Sequence, residues 1–243
     1  ARAALAAYPE FSCTGEAHGV EGLWGVFDDI FCAKEESILF LQDVLTEILP
    51  LFPGMYIHVG GDEAPKTRWE SCPKCQAVIK ANGLHDEHEL QSYFIGRMDA
   101  FLTQNGKKLI GWDEILEGGL PEGATVQSWR GMEGGLEAVA AGKNAIMSPT
   151  SHCYFDYPLS ATDMEEVYQF EPIPEGMVGS GRILGGECNM WTEHAPQELV
   201  ESKVFPRILA MAEVLWSPKA SRDFTAFQQR KMKHDLRLNA WGV

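Results

Sequence analysis

The sequence predicts an α/β fold with a mostly parallel sheet, and three observations lead there. Short apolar runs alternate with longer stretches of helical periodicity, the pattern of strand–helix units in which successive strands run parallel. The first such run, Met55-Tyr56-Ile57, leads into His58-Val59-Gly60-Gly61-Asp62-Glu63, where two glycines allow a sharp turn and a close approach to a ligand before two adjacent carboxylates. The later strands also end in Trp, Asp, Glu or Arg. In a parallel (β/α)8 barrel such ends converge on one face, where catalytic groups sit.

Residues 1–33 form an Ala-rich start and a Gly-dense loop with Trp24 and Phe27, in which little regular structure is expected. Ser37 to Leu49 is helical, because Ile38, Leu41, Leu45 and Ile48 share one face; Pro50 and Pro53-Gly54 end it. The strand at 55–59 follows, and Ala64-Pro65 stops it after the acidic turn. Residues 64–85 read as a long loop excursion carrying Trp69 and Cys72-Pro73-Lys74-Cys75. Asp86 to Gln104 is the clearest helix. Asp86 and Glu89 make a capping box, Leu90, Tyr93, Phe94, Met98, Phe101 and Leu102 an apolar stripe, and Asn105-Gly106 a stop. Strands are then predicted at Leu109–Trp112, Thr125–Trp129, Ala145–Met147 and Ile183–Gly186, with a short helix at Leu136–Ala141. Pro206–Trp216 and Phe224–Leu238 read as closing helices.

Composition narrows the function. A formal net charge of −15 disfavours binding to nucleic acid or to anionic membrane surfaces. No apolar run approaches a membrane span, and the first residues do not make a signal peptide. Six cysteines are present. Cys72-x-x-Cys75 has no matching second pair; it fits half a zinc site, a loop disulfide or two free thiols. Metal ranks lowest, since a structural zinc needs four ligands, although His85 and His88 lie nearby. Cys13 and Cys32 flank a loop and could pair in an exported protein. Neither a cofactor nor a metal is expected.

The strand ends suit a sugar. Asp62-Glu63, Trp112-Asp113-Glu114, Trp129-Arg130, Tyr154-Phe155-Asp156-Tyr157 and Trp191-Thr192-Glu193 each supply aromatic faces, carboxylates or both. Aromatic rings stack on apolar sugar faces and carboxylates accept hydrogen bonds from hydroxyls. Any one Asp-Glu pair more often caps a helix, and any one Trp more often packs a core. Their recurrence at strand termini argues for chemistry, while Trp24, Trp69, Trp216 and Trp241 are left to packing.

In this combination the residues resemble glycoside hydrolase family 20, the β-N-acetylhexosaminidases. His58-Val59-Gly60-Gly61-Asp62-Glu63 is similar to that family's H-x-G-G-D-E signature. Gly111-Trp112-Asp113-Glu114, Trp129-Arg130, Tyr154-x-Asp156 and Trp191-x-Glu193 follow in the family's order, as does Phe205-Pro206-Arg207 through Trp216-Ser217-Pro218. The resemblance implies a (β/α)8 TIM-type barrel that removes terminal β-linked GlcNAc or GalNAc from glycans with retention. Glu63 would be the general acid and then the base. Asp62 would orient the substrate's own 2-acetamido group, whose attack on the anomeric carbon gives an oxazolinium intermediate. Tyr154 would hydrogen-bond the acetamido oxygen. Trp112, Trp129 and Trp191 would wall the pocket, Asp156 and Glu193 would bind outer hydroxyls, and His58 would support the acids from behind. Elementary chemistry agrees: a glycosidic oxygen leaves poorly without a proton, and a neighbouring Asp62 helps keep Glu63 protonated.

The family's barrel has eight strands and this chain predicts five. By the resemblance, the first three strands are missing, with the arginine that the first of them aims at sugar hydroxyls; neither Arg130 nor Arg182 stands at a motif that would replace it. Residues 1–243 therefore read as the C-terminal portion of a single glycosidase barrel domain. The missing strands are expected from another segment or chain, and the piece alone should be marginal in stability and activity. The expected location is periplasmic or secreted. Two other readings compete: a retaining glycosidase using Glu114 or Glu193 as its nucleophile, and a sugar-binding protein without turnover.

Overall fold

The computed structural model describes residues 1–177 and 181–242. Its strands are β1 (Tyr56–His58), β2 (Lys108–Trp112), β3 (Thr125–Ser128), β4 (Asn144–Met147) and β5 (Ile183–Gly186), hydrogen-bonded in sequence order in one parallel sheet. Sequential parallel order with helices between strands is the arrangement of part of a (β/α)8 barrel. The chain packs as two compact units, Ala1–Val126 and Gln127–Val243.

The first unit contains α1 (Arg2–Ala7), α2 (Glu35–Ile48), α3 (Thr67–Ser71), α4 (Pro73–Asn82) and α5 (Glu87–Gln104). β1 pairs with β2 so that Ile57 lies opposite Leu109 and His58 opposite Ile110. α5 packs on β2, burying Leu90, Ile95, Met98 and Leu102; each such side chain contributes about 1.5–3 kcal/mol. Its start matches the expected cap. Asp86 accepts from the Glu89 amide at 2.9 Å, and Glu89 returns to the His85 amide at 2.8 Å, one residue earlier than the usual reciprocal bond. α2 is joined to α5 by the forked pair of Glu35 with Arg97, both contacts at 2.7 Å.

The expected loop over 64–85 is instead mostly helical. Pro73 occupies the first turn of α4, where its missing N–H costs nothing, and Gly83 at φ 66° closes it. The Ala-rich start also forms a helix, α1, seated by the fully buried Leu5. Cys13 and Cys32, which could have paired, are not joined; all six cysteines are free thiols. Cys32, Cys72 and Cys75 are buried in one cluster with Trp69, Ile79 and Leu90, and Cys13 packs against it. His85 and His88 take no part in that cluster. Of the tryptophans assigned to packing, Trp69 is buried, but Trp24, Trp216 and Trp241 are exposed.

The second unit contains α6 (Glu133–Ala140), α7 (Thr150–Cys153), α8 (Met164–Gln169), α9 (Gln197–Val204), α10 (Arg207–Trp216) and α11 (Phe224–Trp241). α6 packs on β4 and α8 on α10. Asp163 and Asp223 cap α8 and α11, each accepting a backbone amide at 2.9 Å. Along β4 and β5 the register shifts after Ala145, so that Met147 faces Gly186. A side chain at Gly186 would meet the Phe170 ring at 2.9 Å and Leu215 at 3.0 Å, so only glycine lets those groups close over the strand. Among the described residues no helix is long and apolar enough to cross a membrane.

Candidate active site

In the first unit the site begins where β1 runs out. Gly60 and Gly61 take φ 77° and 95°, and Glu63 takes φ 45°, the one non-glycine residue with positive φ among the described residues. Holding an L-residue there costs about 1–2 kcal/mol, and such strain persists only where neighbours fix it. Several bonds do so. The pairing of β1 with β2 continues into the turn through Trp112 N–H to Gly60 O at 2.9 Å. The Gly60 amide donates to His58 Nδ1 at 3.1 Å, which assigns that nitrogen as acceptor. Buried Gln91 donates to Gly61 O at 2.7 Å. Lys66 donates to Ala64 O at 2.7 Å and to Gln91 Oε1. Burial lowers the Lys66 pKa, while the carboxylates of Glu117 and Glu114 oppose that shift.

Side chains complete this end. Trp112 is buried and its ring lies 4.8 Å from that of His58. Ile115, fully buried in the turn after β2, fills a notch between two glycines: a Cβ on Gly61 would stand 2.5 Å from Ile115 Cγ2, and one on Gly111 2.8 Å from it. Asp62 is half-buried and Glu63 exposed. A cleft of about 610 Å³ runs past both acids, with Val26, Phe27, Phe31 and Leu41 among its walls.

In the second unit the predicted residues gather around Tyr154. Its ring lies 6.3 Å from Trp129, nearly parallel at 25°, and 6.4 Å from Trp191. A one-residue parallel bridge with Asn189 sets its place: Phe155 N–H donates to Asn189 O at 2.8 Å, and Asn189 N–H to Cys153 O at 2.7 Å. The Asn189 side chain donates to Ser148 Oγ at 2.9 Å, which fixes the bridge to the end of β4. Asp156 follows. Burial, and then the nearby charge of Glu193, push its carboxyl above the usual carboxylate range, although backbone amides of Asp156 and Trp191 donate to it. Its buried Oδ1 has no hydrogen-bond partner among the described residues. Glu193 itself is exposed.

Arg207 holds this segment from below. Fully buried, it donates to the carbonyls of Phe155, of Thr162 at 2.8 Å and of Lys203 at 2.9 Å, with its cation 4.8 Å from the Phe155 ring centre. Lys203 Nζ donates to Asp156 O at 2.5 Å. Sequence reading singled out none of Gln91, Lys66, Asn189 or Ser148, and met Arg207 only within a longer motif. Gln91, Asn189, Ser148 and Arg207 bond groups far away in sequence, and Lys66 reaches Gln91 25 residues on, so no local pattern marks them.

The family model described as glycosyl hydrolase family 20, catalytic domain, matches residues 1–219. The chain belongs to glycosyl hydrolase family 20. A beta-hexosaminidase of Porphyromonas gingivalis is 42% identical over 259 residues, covering all of this chain and 33% of that relative. Among solved family 20 structures, a Flavobacterium johnsoniae chitobiase superposes with a TM-score of 0.89 at 35% identity, covering 100% of this chain and 38% of that one. An exo-β-N-acetylglucosaminidase of Vibrio harveyi, solved in complex with N-acetylglucosamine, gives 0.81 at 30% identity over 89% of this chain and 37% of that one. The chain spans about a third to a half of the length of curated relatives that it matches. The turn at 58–63 and the aromatic group around Tyr154 both fall inside the family 20 match.

Proposed function

We propose that this chain carries the catalytic residues of a retaining exo-β-N-acetylhexosaminidase that removes terminal β-linked GlcNAc or GalNAc by substrate-assisted catalysis. Glu63 protonates the leaving oxygen and then activates water. Asp62 orients and stabilises the acetamido group as it attacks, and Tyr154 hydrogen-bonds the acetamido oxygen. Trp112, Trp129 and Trp191 supply walls, Asp156 and Glu193 accept from ring hydroxyls, and His58 supports the turn. The three strands that would complete an eight-stranded barrel come from another segment or another chain.

The observation that carries the reading is the backbone of Glu63. An acid held at positive φ, with Gln91 and Lys66 bonded to the carbonyls of Gly61 and Ala64 on either side of it, is a group whose placement the fold maintains at a cost. The N-acetylglucosamine complex of the Vibrio harveyi relative supports the substrate class.

The test is Glu63→Gln in the full-length protein, assayed on two N-acetyl-β-glucosaminides. With a poor leaving group, loss of general-acid catalysis should lower kcat/KM by about 10²–10⁴-fold; with an activated aryl leaving group the loss should be far smaller. Equal losses on both would overturn the acid role. Covalent labelling of Glu114 or Glu193 by a 2-fluoro sugar would replace the acetamido group with a protein nucleophile.

A further inference from the structure

We infer that Cys13, Cys32, Cys72 and Cys75 form a tetrahedral, all-thiolate site for one zinc ion, which ties three separate segments of the first unit together. The four sulfurs lie within 4.8 Å of one another. The Sγ separations are 3.7 Å for Cys13 with Cys75, 3.8 Å for Cys32 with Cys72 and 3.6 Å for Cys32 with Cys75. Zinc binds thiolate sulfur at about 2.3 Å, and a tetrahedron of that radius has edges of about 3.8 Å. The spacing matches that edge.

A pair of disulfides fits the arrangement less well. Cys75 is about as near to Cys13 as to Cys32, and Cys32 about as near to Cys72 as to Cys75. A disulfide selects one partner and excludes the others, whereas four sulfurs sharing their neighbours surround a common point. That softness and geometry select zinc among the common divalent ions.

Backbone donors already meet two of the sulfurs. The backbone amide of Lys34 hydrogen-bonds Cys32 and that of Ala33 hydrogen-bonds Cys75, so two sulfurs already receive the N–H donors that steady metal-bound thiolate. Cys72 is the N-cap of α4 and Cys75 stands in its first turn, where the helix N-terminus favours negative charge. Trp69, Ile79 and Leu90 close the cluster against water. The matching second pair that the sequence lacked around Cys72-x-x-Cys75 is supplied from residues 40 and 62 positions away. The ligands bring the loop after α1 and the residues before α2 to the α3–α4 junction, which lies one short helix beyond the acidic turn. Trp69 Nε1 to Phe31 O and Cys32 N–H to Phe11 O, both at 2.8 Å, hold the same segments in register.

The proposal is independent of the catalytic reading, and its test reads metal rather than turnover. The full-length protein, purified under reducing conditions without chelator, should contain about one zinc per chain by elemental analysis. Titration with an organomercurial should release that zinc to a colorimetric indicator as four thiols react. Cobalt(II) exchanged into the site should show the intense visible bands of tetrahedral thiolate coordination. Cys32→Ser/Cys75→Ser should lose the zinc, while Cys188→Ser should keep it. Zinc-free protein from zinc-replete cells, peptide maps showing these four cysteines in disulfides, or full zinc content in Cys32→Ser/Cys75→Ser would each overturn the assignment. The first two are measured on unaltered protein, so a variant that fails to fold does not shelter the proposal.

Discussion

Replacing Gly61 by alanine tests how the acidic turn is held. The added Cβ would stand 2.5 Å from Ile115 Cγ2 and 3.5 Å from Ile95 Cδ1, and the backbone φ of 95° is one that L-residues rarely adopt. The backbone term is about 1–2 kcal/mol. Forcing a methyl into a packed site adds about 1–3 kcal/mol, and Ile115 has little room to yield because its other flank meets Gly111. The sum is about 2–5 kcal/mol, read by denaturant unfolding of the full-length protein. The contact with Ile115 can be separated from the backbone term. Ile115→Leu removes Cγ2, so Gly61→Ala/Ile115→Leu should be more stable than the sum of the single losses by about 1 kcal/mol or more, since neighbours in contact couple on this scale. A Gly61→Ala cost below about 0.5 kcal/mol, or strict additivity in the double variant, would refute the notch argument.

Two further outcomes follow from the second unit. Because Asp156 has a raised folded pKa, the folded chain binds its proton more tightly than the unfolded chain does. Its contribution to stability is therefore complete below the unfolded value of about 3.9 and is lost as pH rises through the folded value. Asp156→Asn should gain stability relative to the parent on going from acid to neutral pH, checked by melting both across that range; a variant that loses ground as pH rises contradicts the sign. Arg207→Met keeps the stem but removes every donor from the carbonyls of Phe155, Thr162 and Lys203. At about 1–3 kcal/mol per buried orphan, the loss should exceed about 3 kcal/mol in chemical denaturation, and a loss under about 1 kcal/mol would mean that water reaches these groups.

What the sequence made legible was whatever depends on near neighbours. All five strands stand where short apolar runs met glycine or a polar terminus, and α5 starts at its capping aspartate. The aromatic set around Tyr154 was legible because strand ends in a parallel sheet share a side. α4 was missed although Pro73 and Gly83 bracket it, because its N-cap and one of its two buried positions are cysteine, and a C-x-x-C is equally at home in a loop. Gln91 and Arg207 were hidden differently. Each is a polar residue on the buried side of a helix, and only the distant carbonyls it satisfies explain it. The cysteine cluster was invisible for the same reason, since nothing in a linear spacing joins Cys13 to Cys75.

The Arg207 anchor also sets an order of events during synthesis. Phe155 and Thr162 leave the ribosome 52 and 45 residues ahead of the guanidinium that receives their carbonyls. At about 5–20 residues per second, that is a delay of about 2–10 s. Throughout it, β4 is already made, while the segment bearing Tyr154 and Asp156 has no strap beneath it. A nascent chain halted late in this window presents Tyr154, Phe155 and Phe170 without the guanidinium that later holds their segment.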